Sequence, residues 1–462
     1  MTRALTLSRR AILGGFASTL ALSACSQISY TAPEPDLPER FASDSPARRA
    51  GANAWWASFQ DRNLDSLISA GLARNLDVQQ AVASVRAAQA NARLVGANDL
   101  PQVGLDGAAN RGDSAGSGVI TETTSATLGV SWLVDLFGAN QAARQGAAAS
   151  LDAAYLSTEV ARLTVASAIA SAYVDLRYYQ ESLALTQQSL ESRRRSLQMT
   201  RDQDELGGAT RLDVLQAEQL VTQAEAALPA MEVGFEQAAN RLATLTAGNT
   251  AQIRSSLSRG TGQPRARYRA SVGVPADVIR VRPDVRVAER ELAAAMARVG
   301  EARAAFYPQL TLSGSVTPTN ISGGGSMKTW GFGPQLSVPL FTGGANEARL
   351  SAAEAEAERA RLAWQASVLN AVEEVENALS GYNRDARAVA ANSRLVDNSR
   401  ETVNLTRLSY ELGEDGFFPV LDAERSLLTA RQELANAVRQ QALNFIALSA
   451  ASAGGVGVPA QS

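Results

Sequence analysis

The sequence predicts an all-α long-helix barrel joined to a transmembrane β-barrel, and three observations predict it. The chain is written twice. Leu100-Pro101-Gln102-Val103-Gly104-Leu105 returns as Tyr307-Pro308-Gln309-Leu310-Thr311-Leu312, and Glu205-Leu206-Gly207 returns 206 residues later as Glu411-Leu412-Gly413. Each copy also holds one proline-free run of more than 60 residues. Finally, each copy holds two runs of about ten residues in which apolar side chains alternate with small or polar ones. A period this long exceeds that of any solenoid and marks two copies of a large unit. The unit reads helix, short strand, Gly-rich loop, short strand, very long helix, tight turn, helix.

The N-terminus comes first. Arg3, Arg9 and Arg10 form a basic region, Ala11 to Ala21 a short apolar one, and Leu22-Ser23-Ala24-Cys25 closes it with small residues before a cysteine. That quartet resembles a bacterial lipobox, in which cleavage falls before the cysteine and the thiol is acylated. Ser8-Arg9-Arg10-Ala11-Ile12-Leu13 fits both a twin-arginine signal and a generic basic region. Cys25 is the only cysteine, so no disulfide can form within the chain. The stretch after it carries Pro33, Pro35, Pro38 and Pro46 and reads as an extended tether. Trp55-Trp56 and Phe59 then open the folded part as a packed anchor.

A first helix is expected over about 77–98, where Val78, Val82, Val85, Ala88, Ala92 and Val95 recur at helical spacing. The strands follow. Ala126, Leu128, Val130, Trp132 and Val134 alternate with Thr127, Gly129, Ser131 and Leu133. Leu310, Leu312, Gly314 and Val316 form the third run, Trp330, Phe332, Pro334, Leu336, Val338 and Leu340 the fourth, and 102–110 the weakest. One apolar and one polar face suit a strand between lipid and water, and Trp132 and Trp330 suit an interfacial aromatic girdle. The long runs, 141–204 and 345–412, would span roughly 96 and 100 Å as helices. Helices of that length imply coiled-coil-like packing, and their many alanines allow close contact. Each turns at a glycine pair or cluster and returns over 211–247 or 417–453. A returning helix and the short helix of the same copy would together match one long helix, stacked end to end.

Composition excludes several function classes. There is no histidine, which removes the commonest general base and metal ligand. The formal net charge is −3, so nucleic-acid binding is not expected. No nucleophile, base and orienting group can be assembled, so no enzyme is expected. Apart from lipid on Cys25, no cofactor or metal is called for. No stretch reads as a membrane-spanning helix, so any crossing is made by strands. Four strands cannot close around a lumen, and open edges cannot face hydrocarbon. The barrel must be shared, with 8, 12 or 16 strands from two, three or four copies.

Trp55-Trp56-Ala57-Ser58-Phe59-Gln60-Asp61 with Leu64 and Leu67, and Asn75-Leu76-Asp77, resemble the N-terminal signature of TolC-like outer-membrane factors. The similarity is to the OprM/NodT-type lipoprotein branch that serves resistance-nodulation-division efflux pumps. Arg282-Pro283-Asp284-Val285-Arg286 with Ala288-Glu289, Ala302-Arg303-Ala304-Ala305-Phe306-Tyr307-Pro308, Asp135-Leu136-Phe137-Gly138 and Val420-Leu421-Asp422-Ala423-Glu424 carry it further. The resemblance implies a homotrimer with a twelve-stranded barrel in the outer membrane and a long periplasmic α-barrel. Its implied partners are outer-membrane lipid, a periplasmic adaptor (membrane fusion) protein and the inner-membrane pump. The expected organisation is a signal peptide (1–24), lipidated tether (25–54), first repeat (55–250), equatorial linker (251–275), second repeat (276–455) and tail (456–462).

The implied function is the exit duct of a tripartite pump, passing drugs or other small molecules to the exterior. The alternatives are a copper/silver-type metal efflux channel and a non-channel coiled-coil envelope lipoprotein. Glu414 and Asp415 in the second tip turn fall where the resemblance implies an aperture carboxylate. Asp204 and Glu205 stand in the first tip, with Asp213 nearby. Arg193-Arg194-Arg195 and Glu373-Glu374 with Glu376 read as solvated faces or inter-helix ion pairs, and Arg282-Pro283-Asp284 as a helix entry.

Overall fold

The computed structural model describes residues 55–113, 120–259, 262–266 and 279–453. Cys25, the signal peptide, the tether and the tail lie outside them, as does much of the linker. The element order is a 3-10 turn (Trp55–Phe59), α1 (Arg62–Arg74), α2 (Leu76–Ala97), β1 (Gln102–Asp113), β2 (Ile120–Val134), α3 (Ala139–Glu205), α4 (Arg211–Leu245) and α5 (Thr250–Leu257). The second copy supplies α6 (Pro283–Ala304), β3 (Gln309–Ile321), β4 (Gly325–Ser337), α7 (Ala345–Glu411) and α8 (Phe418–Ala451).

Two helices were not expected. Asp61 accepts hydrogen bonds from the Asn63 and Leu64 amides (2.9 and 3.4 Å) and so starts α1. Asn249 caps α5 in the same way through Ala251 and Gln252, at 2.8 and 3.3 Å. The fourth strand also differs: it starts at Gly325 and ends at Ser337, so Val338 and Leu340 lie outside it. Pro339 has no N–H for a ladder, and β4 stops short of it.

The chain divides into two compact units. In the first, built from described residues of 83–156 and 286–367, the strands form one antiparallel sheet in the order β1-β2-β3-β4. The register aligns the apolar side chains of all four strands into rungs. Leu105 faces Leu128, Leu128 faces Val316, and Val316 faces Trp330. Val103, Val130, Gly314 and Phe332 form the next rung. Gly314 is required there, because an added Cβ would strike the Phe332 ring. The other face carries Thr127, Ser131, Thr311, Ser313, Thr317 and Gln335, with Thr127 and Thr317 hydroxyls 3.0 Å apart. In the same unit α2 lies along α3, where Gln89 Nε2 reaches Tyr155 Oη at 2.5 Å. Ala295 and Val299 of α6 pack on Ala357 of α7.

The second unit comprises described residues of 55–82, 157–285 and 368–453. Its main core joins Trp55, Phe59, Leu64, Ile68, Ile169, Tyr173, Leu242 and Phe445. The aromatic signature is thus an anchor: Phe59 meets Phe445 edge-on at 5.4 Å. Asp61 does double duty, since its Oδ2 also accepts from Tyr173 Oη at 2.5 Å, and Tyr173 Oη accepts from Arg177 Nε at 2.9 Å. Burial and the Asp61 contact push the Tyr173 phenol up to about 12. Close packing of α4 on α3 needs Gly234, which lies against the Tyr179 ring.

The end-to-end arrangement is observed in both copies. Asn75 Nδ2 donates to the Leu245 carbonyl at the end of α4 (2.9 Å), while its Oδ1 caps α2 through Asp77 and Val78. In the second copy Arg282 Nη1 donates to the Ala451 carbonyl at the end of α8 (2.8 Å), just before α6 begins.

Candidate functional site

The resemblance implies a wall of strands and a constriction at the helix tips. The candidate wall is the sheet of the first unit, whose two outer strands, β1 and β4, each have one unpaired edge. An unpaired edge that also carries an apolar face is open to another copy of the same sheet. Trp132 and Trp330 both lie on the apolar face but on different rungs. Trp132 faces Leu312 and Trp330 faces Val316, four residues along the same strand, or about 13 Å. Trp330 is 72% exposed, whereas Trp132 is 38% exposed and its indole donates to the Asp99 carbonyl at 2.8 Å. Trp132 therefore also fastens the sheet to the end of α2, beside the Arg144–Asp99 pair (2.7 Å).

The tips lie in the second unit and share one backbone geometry. Gly207 (φ 73°) and Gly413 (φ 74°) are left-handed, and Gly208 N and Glu414 N reach back to Gln203 and Ser409 carbonyls at 2.8 and 2.9 Å. This is a glycine-terminated helix end in each copy. The following helices start differently. Thr210 and Asp213 form a capping box at the head of α4. No side chain caps α8, which has Pro419 in its first turn. Asp213 is therefore engaged in the cap, Asp204 is half-buried, and Glu205, Glu414 and Asp415 are exposed.

The two tips are joined by a core of Leu197, Val214, Val221, Tyr410, Phe417 and Val420. Tyr410 Oη also hydrogen-bonds Gln203 Oε1. One further residue is not marked by its neighbours in sequence. Glu424 of α8 is 7% exposed, and its Oε1 accepts from Ser192 and Ser196 of α3 (3.1 and 3.3 Å) and from Arg407 of α7 (2.7 Å). Nearby Arg193 is also buried and donates to the Leu220 carbonyl at 2.8 Å. Burial lowers its pKa, and the Glu424 charge opposes that. Three helices, α3, α7 and α8, thus meet at one carboxylate, and the only hint in the sequence is its place at the end of Val420-Leu421-Asp422-Ala423-Glu424. Arg194 pairs with Glu225 at 2.7 Å, an inter-helix ion pair as expected.

Known proteins match this geometry. The family model described as outer membrane efflux protein matches twice, over residues 67–248 and 274–454. The chain belongs to the outer membrane efflux protein family. It is 38% identical over 440 residues to Nodulation protein T of Rhizobium leguminosarum bv. trifolii, across 92% of this chain and 93% of that one. It is 30% identical to outer membrane protein OprJ of Pseudomonas aeruginosa, across 94% of each. The solved outer-membrane channel OprN superimposes with a TM-score of 0.86 at 28% identity, across 94% of this chain and all of that one. The fold is that of a TolC-like channel, with a long helical part and a membrane sheet, and the protein is an outer-membrane efflux channel.

Proposed function

We propose that three copies of this chain close a twelve-stranded barrel and form the exit duct of a tripartite efflux pump. The carrying observation is the sheet: four strands with a coherent apolar face and two free edges cannot be stable alone in lipid. Joining β4 of one copy to β1 of the next removes every edge. The partners are a periplasmic adaptor and an inner-membrane resistance-nodulation-division pump, which choose an organic cargo. Acylated Cys25 adds a lipid anchor, and Trp132 and Trp330 belong to the aromatic girdle at two levels of the apolar face. A Cys25→Ser variant still assembles trimers in this reading, because the barrel itself holds the protein in the membrane.

The constriction is the ring of tips. Glu414 and Asp415, supported by Asp204 and Glu205, bring several carboxylates per copy toward the three-fold axis, which favours cations and invites block by multivalent ones. Single-channel recording in planar bilayers tests this. Asp415→Ala is expected to weaken cation selectivity and divalent block; unchanged selectivity and block would remove Asp415 from the aperture.

A further inference from the structure

Lys328 is the only lysine in the chain; every other basic residue is arginine. It stands in β4 on the face that carries Trp330, Phe332, Pro334 and Leu336, since side chains two apart share a face. From Leu336 to Lys328 is eight residues, about 27 Å along a strand. At the usual tilt of a membrane strand this is about 20 Å along the membrane normal, close to the apolar thickness that such barrels present. The next rung beyond Lys328 on that face is Ser326 opposite Asn320. Along this one face the order is therefore apolar, aromatic, cationic, polar, which is the order of layers from hydrocarbon to headgroup. Glu122, further toward the hairpin end on the same face, is held by Arg111 at 3.3 Å. Lys328 has no ion-pair partner among the described residues.

The end of the sheet is also defined. The helices join β1, β2, β3 and β4 at one end, and the β3–β4 turn at Ser322–Gly324 lies at the other, next to Lys328. The helical part is periplasmic in this family, so the turn end is the outer-leaflet end. We propose that Lys328 is a contact site for the phosphate of an outer-leaflet phosphoglycolipid, with Trp330 lying against its acyl region. A lysine suits this place because its long apolar stem can cross the last rung of hydrocarbon and deliver a compact charge to a phosphate. The assignment rests on the reading of the sheet as part of a closed outer-membrane barrel.

The test uses the purified full-length trimer titrated with lipid A and read by native mass spectrometry. Lys328→Gln is expected to weaken lipid A binding roughly fivefold per site, and Lys328→Arg to retain it. Lipid A stripped of its phosphates is expected to bind wild type and Lys328→Gln equally. Undiminished lipid A binding by Lys328→Gln, or an equal loss with the dephosphorylated lipid, overturns the phosphate contact. Failure of the wild-type chain to form trimers would instead overturn the barrel reading beneath it.

Discussion

Asn75 and Arg282 hold equivalent positions in the two copies, each where a returning helix ends and a short helix begins, yet they use opposite chemistry. Asn75 is neutral and buried, and it satisfies both helix ends by itself: its amide donates to Leu245 and its oxygen caps α2. Arg282 is 6% exposed and charged, and needs help. It holds Ala451 with one nitrogen, Asp284 with two (3.0 and 2.6 Å), and Glu374 of α7 at 2.6 Å. Burial alone would disfavour its charge, but the hydrogen bonds to Asp284 and Glu374 outweigh it and raise the pKa above the ordinary arginine value. The first junction joins two helices. The second joins three, because Glu374 brings the long helix into the same cluster. A duplicated backbone has thus kept its junction and changed what the junction fastens.

The largest expected effect follows from removing the carboxylates and leaving the arginine. In an Asp284→Asn, Glu374→Gln double variant Arg282 stays buried with a charge that nothing offsets, which costs about 3 kcal/mol. The figure is at the low end for a broken buried pair, because the two carboxylates are 40% and 59% exposed and partly screened. Urea unfolding of the purified protein reads it as a lower midpoint. Adding Arg282→Met to that background should recover part of the loss, since the charge leaves with its partners gone. If the triple variant is no more stable than the double one, Arg282 acts through its packing and its bond to Ala451 rather than its charge. Asn75→Ala comes next. It removes a helix cap and leaves the Leu245 carbonyl unpaired, at about 1–2 kcal/mol, and unlike the Arg282 cluster it should be insensitive to salt.

Local pattern made much of this fold legible. The repeat, the alternation in the strands and the proline-free helices follow from periods of 206, two and 3.6 residues, all visible in one dimension. The end-to-end stacking followed from matching helix lengths. The missing parts are those whose cause lies far along the chain. Arg282 reads as a helix entry from its neighbours, and only a partner 92 residues away makes it a three-helix clasp. Glu424 looks like any exposed helix glutamate until Ser192, 232 residues distant, is set beside it. Asp213 resembles Asp204 and Glu205 in sequence, but Thr210 three residues earlier takes it into a cap. The alternation shows which face Trp132 shares, but not that its indole is committed to the Asp99 carbonyl.

The smallest expected effect probes what the two copies have in common. Past the end of each returning helix stands an alanine in the left-handed region, Ala247 with φ 46° and Ala453 with φ 51°. Both positions close the helix in the same way, with Ala247 N reaching the Thr244 carbonyl (3.2 Å) and Ala453 N the Ala450 carbonyl (3.0 Å). A Cβ makes this conformation unfavourable by about 1 kcal/mol, which glycine avoids. Glycine gives back part of that gain through its freer unfolded chain. Ala247→Gly and Ala453→Gly should therefore each raise stability by about 0.5 kcal/mol, against the usual direction of an alanine-to-glycine change at a helix. Equal shifts in the urea midpoint would mean that the two helix ends carry the same backbone strain despite their different clasps. A shift at Ala247 alone would mean that the Arg282 bond to Ala451 already sets the geometry of the second end, so that relieving strain there gains nothing.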